Sequence, residues 1–442
     1  MYVGFAYDLV RGDFIKLISI YGALFFLVYK IIRISKEHFL VLAGVGIFFR
    51  LIFIVAMPNL SQDFYRFLWD GRILLQGINP YLYTPESISN DTLSTIQITI
   101  PQAQELLQGM GTLNASHFSN YPPVNQLFFA VAALFTGKSI LGSVIVLRII
   151  MLLADVGILY FGKKLLDGLH LPASNIFLYF LNPFIIIELT GNLHFEGVML
   201  FFIVWSLYLL YIKKWHWAAL VFGVSISVKL IPLLFLPLFY QFFMGKSVFG
   251  KGFWKLRKFI WIVLGTVLLS FAPFISSEFI ANFSATISLW FQKFEFNASI
   301  YYLIRWIGYQ TVGWNLIETV GKILPILVVV FVFILAFFRK NKTLPQLITA
   351  MLFSIFIYFL LSTTIHPWYI ATPLLLSVFT KYRFPVVWSL MVMLSYAAYG
   401  NQGFSENLWF VSLEYTGVIG YALWELFFSK NPLKNKQIPT HS

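Results

Sequence analysis

The feature that most constrains this chain is a series of apolar runs, each as long as a membrane-crossing helix. Segments 40–57, 139–162, 319–338 and 344–363 can cross about 30 Å of hydrocarbon as α-helices. Inside a bilayer every backbone hydrogen bond must be met within the chain, which leaves helices or closed barrels. A barrel would show strands of about ten alternating residues, and these runs are helix-length. Composition agrees: 59% of the 442 residues are hydrophobic and 11% charged. A soluble domain has roughly 45–50% apolar and 25% charged residues. The expected fold class is all-α, a polytopic transmembrane bundle of roughly 11–13 helices, with interfacial helices in the first long outer loop.

Charge sets the topology. The net charge of +13 raises the question of nucleic acid, but its distribution argues against that partner. Lys and Arg cluster in short connections: Lys30–Lys36, Lys163/Lys164, Lys213/Lys214, Lys246–Lys258, Arg339–Lys342, Lys381/Arg383 and Lys430–Lys436. Such loops stay cytoplasmic, beside anionic membrane lipids. Helix 15–33 then runs inward and 38–57 outward, and a long outer segment, 58–138, follows. The chain re-enters at 139–162, exits at 173–190 and returns at 197–212. Residues 216–244 go out and back as two short helices meeting near Lys229–Pro232. Helix 257–275 leads to a second outer segment, 276–318, followed by spans 319–338, 344–364, 367–380, 384–399 and 408–428. The stretch 17–32 ends at basic residues and reads as a retained helix rather than a signal peptide. There is no cysteine, hence no thiolate or disulfide chemistry. The expected organisation is a catalytic module, 1–318, and C-terminal helices, 319–442, completing the cavity.

The first outer segment carries the leading chemistry. Phe64, Phe67, Leu68, Leu74 and Leu75 fall near helical spacing, opposite Asp63, Arg66 and Asp70, as in a helix lying in the membrane interface. Pro123–Phe135 reads as a second, more apolar surface helix. Asp63 suits a general base accepting a proton from an attacking alcohol; as the start of a helix it equally suits a cap. Arg72 offers the guanidinium fork that grips phosphate. Asn79-Pro80 reads as the turn closing the helix. Arg66 and Asp70 also read as a simple pair.

Lys229 interrupts an apolar hairpin, where insertion scales put a central Lys at about +2.5 to +3.5 kcal/mol. A lipid phosphate at the hairpin tip offsets that cost; snorkelling to water is the alternative. His366 stands at the outer end of a span, before Pro367-Trp368-Tyr369, whose rings offer sugar-stacking surfaces. His194 with Glu196, and Arg305, reach the same face by topology. No spacing such as His-x-x-x-His favours a metal, and none is expected; no cofactor is expected either. Arg50, Arg148 and Asp155 read as structural intramembrane charges.

The stretch Ser61-Gln62-Asp63-Phe64-Tyr65-Arg66-Phe67-Leu68-Trp69-Asp70-Gly71-Arg72, with Gly77-Ile78-Asn79-Pro80-Tyr81, resembles the first outer loop of bacterial GT-C glycosyltransferases. It is most similar to the polyprenol-phosphate-mannose-dependent mannosyltransferases. Tyr121-Pro122-Pro123, Asn182-Pro183 to Glu196, Lys229-Leu230-Ile231-Pro232 and His366-Pro367-Trp368-Tyr369 continue the resemblance in order along most of the chain. It implies Asp63 as catalytic base and a donor-phosphate site near Lys229. Many members carry His-Asn-Asp where this chain has His194-Phe195-Glu196, so the resemblance carries no catalytic role onto Glu196.

These readings converge on a lipid-linked donor. The outer compartment normally lacks nucleotide sugars, the chain has no Gly-rich phosphate loop and no Asp-x-Asp grip, and a phosphate monoester leaves without a general acid because its second pKa is near 6. The expectation is an inverting hexosyl transfer, with mannose implied by the resemblance, to a hydroxyl of a glycan, lipid or other acceptor. Asp63 is the base and His366 a second catalytic group. Lys229, Arg305 and Arg72 hold the donor phosphate. Arg66, Asp70, Tyr121, His194, Glu196, Trp368 and Tyr369 contact substrate. The expected location is the bacterial inner membrane, with the site on its outer, periplasmic face. A transporter or flippase, with helix breaks in both halves, a non-catalytic membrane scaffold, and a polymerase or ligase using a pyrophosphate-linked donor are the competing readings.

Overall fold

A computed structural model describes residues 1–89, 99–244, 250–400 and 403–428. Of the basic clusters used to orient the chain, Lys246 and the Lys430–Lys436 run lie outside the described residues. The protein is a polytopic helical bundle; its only paired strands among the described residues are the two-residue Tyr399–Gly400 and Gly403–Phe404.

Among the described residues four helices are long and apolar enough to cross a membrane: Phe14–Ile34, Ile140–Gly168, Lys251–Phe274 and Ile317–Phe337. Their starts follow local chemistry. Asp13 accepts the Lys16 amide at 3.1 Å and Ser139 the Gly142 amide at 3.0 Å, the side-chain capping that meets otherwise orphaned N–H groups. Thr343 and Gln346 form a capping box at the head of Leu344–Leu360. The hairpin expected over 216–244 is present as Trp215–Val228 followed by a 3₁₀ segment, Ile231–Leu238, with Lys229 at the join.

Three expectations are corrected. The span 38–57 is helical only over Phe39–Leu51 and continues as turns. The span 173–190 is broken: Ala173–Phe180 and a π-helical turn, Ile185–Gly191, meet at 61°. Pro183 cannot donate into a helix and crowds the preceding turn, and Asn182 fills the gap by accepting the Phe184 amide at 3.0 Å. Helix Asp63–Leu75 does not lie with a wet polar face. Arg66, Asp70 and Arg72 are buried because the following segment, including helix Ala103–Ala115, folds over them. Its other side packs on helix Pro123–Thr136, where Phe67 stacks on Phe129 at 4.6 Å. The two backbones touch at Gly71: a Cβ there would stand 2.2 Å from the Phe129 carbonyl oxygen.

The buried charges are consumed structurally, with one change of partner. Asp155 pairs with Arg50 of the neighbouring helix at 2.6 Å. Arg148 instead donates to four carbonyls, those of Ile54, Ala56, Thr190 and Gly191. Its fork therefore ties the turns after Leu51 to the end of the π-helical turn, satisfying carbonyls that these irregular ends leave open.

Candidate active site

The structure brings Asp63, Arg66, Tyr121, Lys229, His366, Trp368 and Tyr369 to the wall of one cavity of about 600 Å³. Its lining comes from the 58–138 and 276–318 segments, the tip of the 216–244 hairpin, and the turns near 364–369 and 399–404. Charge topology had assigned all of these to the same side of the bilayer.

Asp63 is the first residue of its helix; the cap position is taken by Gln62, whose side chain makes no capping hydrogen bond among the described residues. Its half-buried carboxylate faces the cavity. Burial pushes its pKa up from the ordinary carboxylate range; Lys229, Arg11 and the Asn114 side chain oppose that rise. A carboxylate so placed is a stronger base than one in water.

Lys229 follows the last residue of helix Trp215–Val228 in extended backbone, and its ammonium donates to Glu196 Oε1 at 2.5 Å. Glu196 is fully buried and its second oxygen has no hydrogen-bond partner among the described residues. Leu193, with φ of 63°, turns the chain out of the π-helical segment and sets His194 against Trp368, ring centres 3.7 Å apart. His366 stacks on Trp368 at 4.6 Å and 4°. The indole thus lies between two imidazoles. Burial lowers both histidines, His366 to about 3, with Lys229 and Arg11 adding to the effect. Both rings are neutral near pH 7, so His366 can accept or donate a hydrogen bond and does not act as a cation. Its Nδ1 is buried without a hydrogen-bond partner among the described residues.

Several expected ligands lie elsewhere. Asp70 accepts from Arg66 Nε at 2.7 Å, Ser119 Oγ at 2.6 Å and Gln126 Nε2 at 3.0 Å. That saturates its oxygens and fixes the Arg66 side chain, which also donates to the Asn114 and His117 carbonyls. Arg72 is outside the cavity, with its donors on the Pro101 carbonyl and Gln102. Arg305 is also outside, paired with Glu295 and stacked over Tyr302 at 4.1 Å. Guanidinium chemistry suggested Arg72 for the site and topology suggested Arg305, but an Arg side chain seeks the nearest open carbonyl or carboxylate, and both found one. His194 and Glu196 stand behind the cavity wall, against Trp368 and Lys229.

Arg11, Asn114, Glu295 and Tyr399 also line the cavity and were not anticipated. For Arg11 a signal existed: a basic residue on the side that positive-inside bias depletes. Among the described residues no three His, Asp or Glu side chains group as metal ligands.

A membrane-embedded helical bundle with a folded, carboxylate-bearing first loop at the mouth of its cavity places the protein in the GT-C-like class. The chain belongs to the alpha-(1->6)-mannopyranosyltransferase family, whose N-terminal domain matches residues 19–245. It is 20% identical over 339 residues to alpha-(1->6)-mannopyranosyltransferase A of Mycobacterium tuberculosis, an alignment covering 73% of this chain and 61% of that relative. The chain thus spans less than two thirds of the relative's length.

Proposed function

We propose that the protein is a mannosyltransferase that moves a mannosyl group from a polyprenyl phosphate to an acceptor hydroxyl, with inversion, on the outer face of a bacterial inner membrane. The observation that carries this reading is the convergence of Asp63, Lys229 and His366 on one cavity. The family supports the sugar. The shared side of the cavity-lining segments supports the outer face, and the scarcity of nucleotide sugars there supports a lipid-linked donor. Residues 319–442 complete the cavity in this reading through His366, Trp368 and Tyr399.

In the reaction the acceptor oxygen attacks the anomeric carbon while its proton passes to the Asp63 carboxylate. The new carbon–oxygen bond forms as the bond from the anomeric carbon to the phosphate oxygen breaks, and its electron pair stays on polyprenyl phosphate. Lys229 stabilises that growing charge. Neutral His366 hydrogen-bonds a sugar hydroxyl or the phosphate. Trp368, held between two imidazoles, offers a rigid stacking surface with Tyr369 and Tyr121 around it.

Membranes carrying wild-type protein should transfer label from polyprenyl-phosphate-[14C]mannose to endogenous acceptors. Asp63→Asn, expressed to the same level, should lose about 10²–10⁴-fold of the rate, the usual contribution of a general base. Full activity in Asp63→Asn overturns the mechanism. A substrate flux that persists in that variant favours a transporter instead.

A further inference from the structure

Among the described residues three arginine or lysine side chains line the cavity, Arg11, Arg66 and Lys229. Arg66 is held by Asp70 and Lys229 by Glu196. Arg11 has no carboxylate partner among the described residues, and its Nε is buried without a hydrogen-bond acceptor. Its guanidinium carbon sits 3.4 Å above the Tyr399 ring centre. A guanidinium stacked by its face keeps its in-plane N–H groups available at the edges, and the Arg11 side chain is half-buried at the cavity wall.

We propose that Arg11 and Lys229 form a two-cation clamp for a phosphate monoester, the phosphate of the prenyl-linked donor. The inference rests on the function proposed above and replaces Arg72 and Arg305, which lie outside the cavity. Arg11 and Lys229 line the same cavity as Asp63 and His366. A planar guanidinium takes two phosphate oxygens in a fork while an ammonium takes a third as a point charge. Arg11 lies ahead of the family-matched residues 19–245. The clamp therefore joins the loop before helix Phe14–Ile34 to the tip of the Lys229 hairpin.

The test is calorimetric titration of the full-length, detergent-solubilised protein with farnesyl phosphate, farnesol and inorganic phosphate, using wild type, Arg11→Gln and Arg11→Lys. Wild type should bind farnesyl phosphate well above the other two. Arg11→Gln should weaken that binding at least about tenfold, as expected for a lost charge-assisted hydrogen bond, and Arg11→Lys should weaken it less. Protection of wild-type Arg11 from phenylglyoxal by farnesyl phosphate, read by mass spectrometry, gives a result independent of how the variants fold. Unchanged affinity in Arg11→Gln, or no protection of Arg11, overturns the clamp and leaves the lipid-linked donor standing. Wild type that does not prefer farnesyl phosphate to farnesol overturns the phosphate donor and the clamp with it. Equal binding of inorganic phosphate assigns the cations to a free anion and overturns the lipid source.

Discussion

Two buried cation–carboxylate pairs, Arg50–Asp155 and Lys229–Glu196, lie in the same bundle and differ in what surrounds them. Arg50 and Asp155 are sealed, with side-chain exposures of 0% and 2%. Arg50 also donates to the Gly46 and Phe180 carbonyls, and Thr190 donates to Asp155. In the second pair Glu196 is sealed but Lys229 is 17% exposed and faces the cavity. In the first pair Arg50 Nη2 and Asp155 Oδ1 lack hydrogen-bond partners among the described residues, but both side chains are sealed inside the bundle. The second presents its ammonium to a space that a ligand can enter. Burial of charge alone does not mark a site; access to a cavity does.

The largest effect expected from this contrast is on stability. Asp155→Asn leaves Arg50 buried without its counter-charge, a loss of about 3–5 kcal/mol. It should appear as a sharp fall in folded protein and thermal stability in detergent. Wild-type stability in Asp155→Asn would erase the distinction between the pairs. Lys229→Met should instead be read in the chemistry. Lys229 holds the Asp63 carboxyl down against its burial, and the base works only when ionised. Removing Lys229 raises that pKa further, so the acid limb of the pH–rate profile should move to higher pH while the maximal rate falls. An unmoved limb would separate Lys229 from the base. Arg72→Gln should do least. It removes ties to Pro101 and Gln102 worth about 0.5–1.5 kcal/mol and should leave transfer within about twofold of wild type, under half a kcal/mol of barrier. A large loss of transfer would return Arg72 to the donor site.

Much of this was legible in the sequence, for identifiable reasons. Apolar length and the placement of basic loops report a residue's preference for lipid or water, which needs no partner. That was enough to put Asp63, Lys229 and His366 on one side. The resemblance marked Asp63, and the Lys229-Pro232 hairpin tip followed from charge at both ends of 216–244. The misses concern partners. Asp155 stands on the same helix as Arg148, yet it pairs with Arg50 across a helix interface that no periodicity reveals. Arg66 and Asp70 looked like a wet face, and Arg72 like a phosphate ligand, because their cover, the chain near 99–126, is remote in sequence. The break at Asn182-Pro183 was visible as residues but not as a 61° bend delivering His194 behind Trp368.

The spread of the cavity lining along the chain, from Arg11 to Phe404, has a consequence for biogenesis. About 300 residues separate Asp63 from His366, so at roughly 5–20 residues per second the ribosome takes on the order of 15–60 s to supply the second after the first. For about the last half of that interval the nascent chain holds Asp63 and Lys229 without the histidine–indole stack that completes their wall. On the proposed mechanism a half-inserted chain should be catalytically silent, and acquisition of transfer activity during synthesis should time the docking of the last helices.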